Sequence, residues 1–141
     1  MDWIGLALLT ALFYGIYNFF IKLSSGHIHE IAGAVILQIV ATAVGGAILV
    51  WLRVIKSPIE ISSRGIWFAV LAGIFVGLAE ILSFYVFSRG VPASTGIPVI
   101  VGGTVVAGAA LGVAFLGESF RPMDYLAVAL IVTGIFLLGG K

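Results

Sequence analysis

Five long apolar runs separated by short polar breaks constrain the fold of this chain more than any other feature. The runs predict helices over approximately residues 3–22, 31–52, 66–87, 97–116 and 123–139. Apolar runs of about 20 residues match the hydrocarbon thickness of a bilayer. Inside lipid only helices and closed barrels satisfy their own backbone, and these runs lack the alternation of barrel strands. The sequence therefore predicts an all-α membrane protein, a five-transmembrane-helix bundle that forms one domain over residues 1–141.

The composition agrees with a membrane location and excludes several other classes of protein. Hydrophobic residues make up 62% of the chain and charged residues 9%, which is too little charge to cover a water-soluble surface. The net charge of +1 gives no basic stripe for a nucleic acid. No cysteine is present, so thiolate metal sites are excluded, and we expect no cofactor. The expected surroundings are the lipid bilayer of the cytoplasmic membrane.

The basic residues divide almost evenly between the two sides of the membrane. Five crossings place the termini on opposite sides. The N-terminal side then carries Arg53, Lys56, Arg64 and Arg121, and the opposite side carries Lys22, Arg89 and Lys141. Basic loops favour the cytoplasmic side of a membrane. Four basic residues against three therefore give only a slight bias toward a cytoplasmic N-terminus. Such a balance predicts that copies of the chain insert in both orientations.

Glu80 is the first candidate for a functional residue, because it lies deep within the third run. An ionisable side chain at membrane depth costs several kcal/mol unless it is paired, hydrated or protonated. One interpretation is a carboxylate facing a cavity, where it binds a cation or exchanges a proton. The alternative is a structural acid bonded to a neighbouring helix or hydrated near a helix end. On the same helix, Gly73 and Gly77 have the spacing of a close packing face.

Two amides and a tyrosine are further candidates for binding or coupling. In the first run Asn18 shares a face with Tyr14, and in the second Gln38 shares a face with small residues. Such amides either form hydrogen bonds between helices or line a pocket, and the sequence leaves both interpretations open.

The fourth run combines a proline with many glycines. Pro98 has no amide hydrogen, so the helix starts near it or bends there. Gly108 and Gly112 have GxxxG spacing, which favours close helix packing. A Gly/Pro interruption indicates a transporter binding site, but a proline in a first helical turn is also ordinary.

Other chemistry is sparse in the sequence. His27 and His29 lie two residues apart in a break and have no accompanying ligand set, so we expect solvated loop residues. No nucleophile elbow, phosphate-binding glycine loop or zinc-hydrolase motif occurs. We therefore expect a protein that is not an enzyme.

Several short motifs resemble the EamA-type repeat of the drug/metabolite transporter superfamily. They are the segment 88–94 (SRGVPAS), the segment 97–99 (IPV), the pair Gly117-Glu118 after the fourth run, the glycine-containing fifth run, and the segment 14–22 (YGIYNFFIK). Together they cover essentially the whole chain.

The resemblance implies a single five-helix repeat, whereas most members have two repeats with inverted halves. In this superfamily the substrate path runs between halves, so a lone repeat would need a partner, and an antiparallel homodimer would be the equivalent of an inverted repeat. The first four helices would line the cavity, which favours Asn18, Gln38, Glu80 and the region of Pro98. Gly117 and Glu118 would cap a helix at the membrane surface.

The expected function is a secondary transporter of small organic solutes that works as a dimer, with proton coupling through Glu80. The alternative is a non-transporting membrane subunit or one half of a heteromeric transporter. A fixed orientation of every copy would favour that alternative.

Overall fold

The computed structural model describes residues 2–140 and contains five α-helices in this range. They are α1 (Trp3–Ser24), α2 (Glu30–Val54), α3 (Ser63–Ser88), α4 (Ala93–Leu116) and α5 (Pro122–Gly139). All five are long and apolar enough to cross a membrane. Over the described residues there is no β-sheet. The predicted all-α membrane architecture is therefore confirmed.

Helix α4 begins at Ala93, four residues before the predicted residue 97. Its first turn is closed by the Gly96 N–H, which donates to the carbonyl of Pro92 over 2.8 Å. Pro98 consequently lies inside the helix, where it donates no backbone hydrogen bond. The helix ends at Leu116 and is capped by Gly117, whose left-handed φ of 67° suits glycine and whose N–H donates to the Gly112 carbonyl.

Polar side chains fix the starts of α2, α3 and α5. The His29 ring nitrogen Nδ1 accepts from the Ile31 N–H over 3.3 Å, and the Ser62 hydroxyl accepts from the Gly65 N–H over 3.1 Å. At α5 the carboxylate of Asp124 accepts from the backbone N–H of Arg121 over 2.8 Å and also from its guanidinium. Each contact satisfies an N–H group that a helix start leaves open. Sequence reasoning missed the capping role of His29.

The chain forms two compact units. One contains residues Phe20–Gly90, with the end of α1 and the whole of α2 and α3, and is called the α2–α3 unit. The other contains residues 2–19 and 91–140, with most of α1 and the whole of α4 and α5, and is called the α4–α5 unit.

The α2–α3 unit contains the buried apolar side chains Ile21, Ala34, Phe84 and Phe87. Its two long helices run antiparallel. Gly33 of α2 lies against the Phe84 ring, and farther along α2 the Gln38 side chain lies against Gly77. A Cβ atom at Gly33 would lie 2.6 Å from Cε1 of Phe84, so only glycine allows this approach.

The α4–α5 unit has a similar close approach at a glycine. A Cβ atom at Gly102 of α4 would lie 3.0 Å from Cδ1 of Ile135 on α5. Near the connection between the helices, the rings of Phe120 and Tyr125 pack edge to face, with centroids 5.2 Å apart. Most large apolar side chains of both units are exposed on the surface of the chain, as contact with lipid requires.

Replacing Gly33 with alanine is expected to destabilise the α2–α3 unit by about 1–3 kcal/mol, the usual range for overpacking. The Phe84 ring is only 3% exposed and has little room to move away from the added methyl group. Thermal unfolding of the purified protein in detergent measures the effect. Gly45→Ala is the matched control on the same helix, since its Cβ would meet nothing within 4 Å.

A double variant makes this test specific for the pair. If the clash causes the loss, Gly33→Ala combined with Phe84→Leu will cost less than the sum of the two single changes. Additive losses would contradict the packing argument.

Candidate functional site

Glu80 lies on the buried face of α3. Its side chain is 6% exposed, and Ser83, Phe84 and Phe87 are also buried. These four residues recur at intervals of three and four and form one stripe along the helix. Glu80 stands eight residues before the end of α3 at Ser88, which is about 12 Å along a helix axis. Glu80 therefore lies within the candidate membrane span, about two helical turns from its end.

Gln38 of α2 lies against Gly77 of α3, one helical turn before Glu80. A Cβ atom at Gly77 would be 3.5 Å from Nε2 of Gln38, and Gly77 precedes Glu80 by three residues. Gln38 also lines an open groove of about 300 Å³ together with Val35, Ile39 and Thr42. Within the α2–α3 unit, the acid Glu80 thus lies one turn beyond the position on α3 that faces the Gln38 amide. Gln38 also lines the open groove.

Asn18 and Tyr14 belong to the other compact unit. Asn18 is 4% exposed, and its side-chain N–H donates to the Tyr14 backbone carbonyl over 2.8 Å. This hydrogen bond lies within α1, so part of the amide is satisfied by its own helix. The Tyr14 ring is 58% exposed and packs edge to face on Tyr17.

The remaining candidates, three glycines and Pro98, differ in how closely other side chains pack against them. A Cβ atom added at Gly73 or Gly108 would meet nothing within 4 Å, whereas one added at Gly112 would collide with the Glu118 carboxylate. Gly112 is buried, and Pro98 is exposed within α4. A larger residue at Gly112 would therefore require the flexible Glu118 side chain to move away.

Two basic side chains are held at the C-terminal end of α3. Nζ of Lys22 donates to the Phe87 carbonyl over 3.3 Å and lies 5.8 Å from the centre of the Phe87 ring. The Arg89 guanidinium lies 4.5 Å from the Tyr85 ring centre and donates to its hydroxyl group. Helix α3 has no basic residue in its last turn, so Lys22 of α1 supplies the positive charge that a helix C-terminus favours.

The anchoring of Lys22 is a contact that sequence reasoning missed. The sequence showed only that the first helix ends near a lysine. Which carbonyl that lysine would meet depended on how the end of α1 packs beside α3.

The charged groups of the described chain otherwise lie near helix ends. Apart from Glu80, every acidic, basic and histidine residue from 2 to 140 lies in a connection, before the first helix, or within three residues of a helix end. The hydrogen bond from its guanidinium to Asp124 raises the pKa of Arg121, a residue that is charged at neutral pH in any case. No group of three or more metal-ligating residues occurs in the same range.

Comparisons with known proteins identify relatives over nearly the whole chain. The model of the EamA-like transporter family matches residues 1–140. A protein of Sinorhizobium sp. named "Uncharacterized transporter in cobO 3'region" is 30% identical over 137 residues, which cover 97% of this chain and 96% of that protein. No solved structure gives a significant match.

Replacing Lys22 with methionine is expected to lower the stability of the α2–α3 unit by about 1 kcal/mol. The change keeps a long apolar side chain but removes the charge and the hydrogen bond at the end of α3. Thermal unfolding in detergent measures the loss. Lys56→Met is the control, because Lys56 lies in the exposed connection after α2. Equal effects of the two changes would contradict a specific role for the contact with Phe87.

Proposed function

Because this chain belongs to the EamA-like transporter family, we propose that it is a secondary transporter of small organic solutes in the cytoplasmic membrane. The family and the five membrane-spanning helices make it a multi-pass membrane transporter.

The buried position of Glu80 is the observation that carries the proposal. A glutamate residue that is 6% exposed and about 12 Å from a helix end is costly to keep in a membrane. Such residues mark ion and substrate paths, and the Gln38 groove beside the next turn offers hydrogen-bonding groups at a similar depth. We assign Glu80 to proton coupling and Gln38 to cargo binding.

The assembly that we propose is an antiparallel homodimer. The Sinorhizobium relative is matched over 96% of its own length, so a protein named as a transporter also has about the length of one five-helix repeat. A path between two halves then requires a second chain. The near balance of four basic residues against three on the two sides is compatible with copies of opposite orientation.

Alternating access follows from this arrangement. Two protomers of opposite orientation rock against one another and open a shared midplane site to one side at a time. Release of the Glu80 proton on one side and its return on the other would tie cargo movement to the proton gradient. Asn18, Tyr14 and Pro98 remain candidates for the lining of the path.

Glu80→Gln is expected to reduce uptake driven by a pH gradient to the background of empty vesicles, because glutamine keeps the size but carries no titratable proton. The measurement is uptake by proteoliposomes of a defined panel of labelled amines, amino acids and nucleosides. Glu60→Gln, a change in the exposed connection before α3, is the matched control. Unchanged coupling in Glu80→Gln would show that this acid is structural.

Reporters fused to the C-terminus are expected to reveal both orientations in cells. One reporter is active only in the cytoplasm and the other only outside it, and the two signals should be comparable. The reason is the slight bias of the basic residues, which directs insertion weakly. A signal from one reporter alone would replace the antiparallel homodimer by a parallel dimer or by a pair with a different chain.

A further inference from the structure

We infer that the α2–α3 connection (residues 55–62) and the helix ends beside it form a docking surface for anionic lipid, whose headgroup phosphates are held by Arg53, Lys56 and Arg64. The inference goes beyond the proposed transport function and does not depend on it. It follows from three properties of this end of the α2–α3 unit: its apolar side chains, its tryptophans and its charge.

Large apolar side chains are exposed where the chain has left its membrane-spanning helices. Ile55 follows the last residue of α2, and Ile61 stands two residues before the start of α3. Both are more than half exposed, as is Val54 at the end of α2. By contrast, the α1–α2 connection, residues 25–29, exposes no large apolar side chain. Contact of these side chains with water is unfavourable, and it is avoided when residues 55–62 lie along the membrane surface.

Two tryptophans place this end of the unit at the level of the lipid headgroups. Trp51 stands three residues before the end of α2 and Trp67 four residues after the start of α3, each about 5–6 Å from the helix end. They are 60% and 70% exposed. Tryptophan is enriched at the boundary between hydrocarbon and headgroups, because its ring is apolar and its N–H group is polar. The pair therefore brings residues 55–62 next to the headgroups.

The charge of this surface is positive. Arg53 and Arg64 each stand one residue inside a helix end, and Lys56 and Glu60 lie in the connection between them. All four residues are exposed. Three positive charges against one negative charge leave a net charge of +2 over residues 53–64. Because a basic segment beside a membrane attracts anionic headgroups, this surface is complementary to an anionic lipid rather than to a zwitterionic one.

The basic side chains at the two ends of the α2–α3 unit differ in their protein contacts. At the other end, Lys22 and Arg89 donate to a carbonyl and a hydroxyl group of α3. Among the described residues, no hydrogen bond or ion pair uses the side chains of Arg53, Lys56 or Arg64. The Arg64 guanidinium lies over an aromatic ring of α3, 5.8 Å from its centre. These three side chains can therefore donate to lipid phosphates without breaking a hydrogen bond to the protein.

Fluorescence quenching by brominated lipid tests the inference, because Trp51 and Trp67 stand beside the surface. The protein carries Trp3→Phe, which removes the third tryptophan of the chain, and is reconstituted into vesicles of phosphatidylcholine with phosphatidylglycerol as the minor lipid. In one sample the phosphatidylglycerol is brominated, and in the other an equal amount of the phosphatidylcholine is brominated. We expect quenching by the anionic lipid to be at least about twofold stronger. Equal quenching by the two lipids would overturn the inference.

Variants assign the preference to the basic residues. Arg53→Gln, Lys56→Gln and Arg64→Gln combined should make the quenching by the two lipids equal. Glu60→Gln removes the acidic residue of the surface and should strengthen the preference for the anionic lipid. Arg89→Gln, at the other end of the unit, is the control and should leave the preference unchanged. A triple variant that keeps the preference at an unchanged unfolding temperature would overturn the inference.

Salt provides a test that needs no change in the surface. Because about 1 M salt reduces the screening length between exposed charges to about 3 Å, the two lipids should then quench nearly equally. A preference that survives this salt concentration would show that the lipid is not recognised by its charge and would overturn the inference. Neither measurement involves uptake of a solute, so a negative result leaves the proposed transport function in place.

Discussion

Backbone hydrogen bonding in a medium without water is the constraint on which the whole structure depends. Lipid offers no partner for an unpaired N–H or C=O group, so each crossing segment must satisfy its own. Five helices of 18 to 26 residues meet this requirement, and polar side chains cap the starts of α2, α3 and α5. The exposed apolar side chains need no further burial, since lipid surrounds them.

The same constraint governs the polar side chains within the helices. The hydroxyl groups of Thr10, Thr104 and Thr133 donate to carbonyls one turn earlier, and the Asn18 amide does the same. Such local bonds make a polar side chain compatible with lipid without any tertiary contact. Glu80 is buried on the stripe of α3, as Ser83 is, and Asn18 is also buried. Among these three buried polar residues, Glu80 is the one with an ionisable side chain.

Family membership and the arrangement of charge constrain the function of this chain at different levels. The EamA-like match over residues 1–140 establishes a membrane transporter but says nothing about its cargo. The arrangement of charge adds that one acidic residue is buried within α3, whereas Lys22 and Arg89 lie at the end of this helix.

The sequence by itself determined the number of helices and the membrane class, because an apolar run of about 20 residues without the alternation of a barrel strand can cross lipid only as a helix. It also singled out Glu80, since the cost of a charge at depth depends on position within a run. It misplaced the start of α4, because Pro98 fits a first turn as well as an interior position. Only the tertiary structure decided that Phe84 covers Gly33, that Gln38 meets Gly77 and that Lys22 caps α3. These contacts join distant segments, and apolar periodicity carries little information about register when lipid accepts every face of a helix.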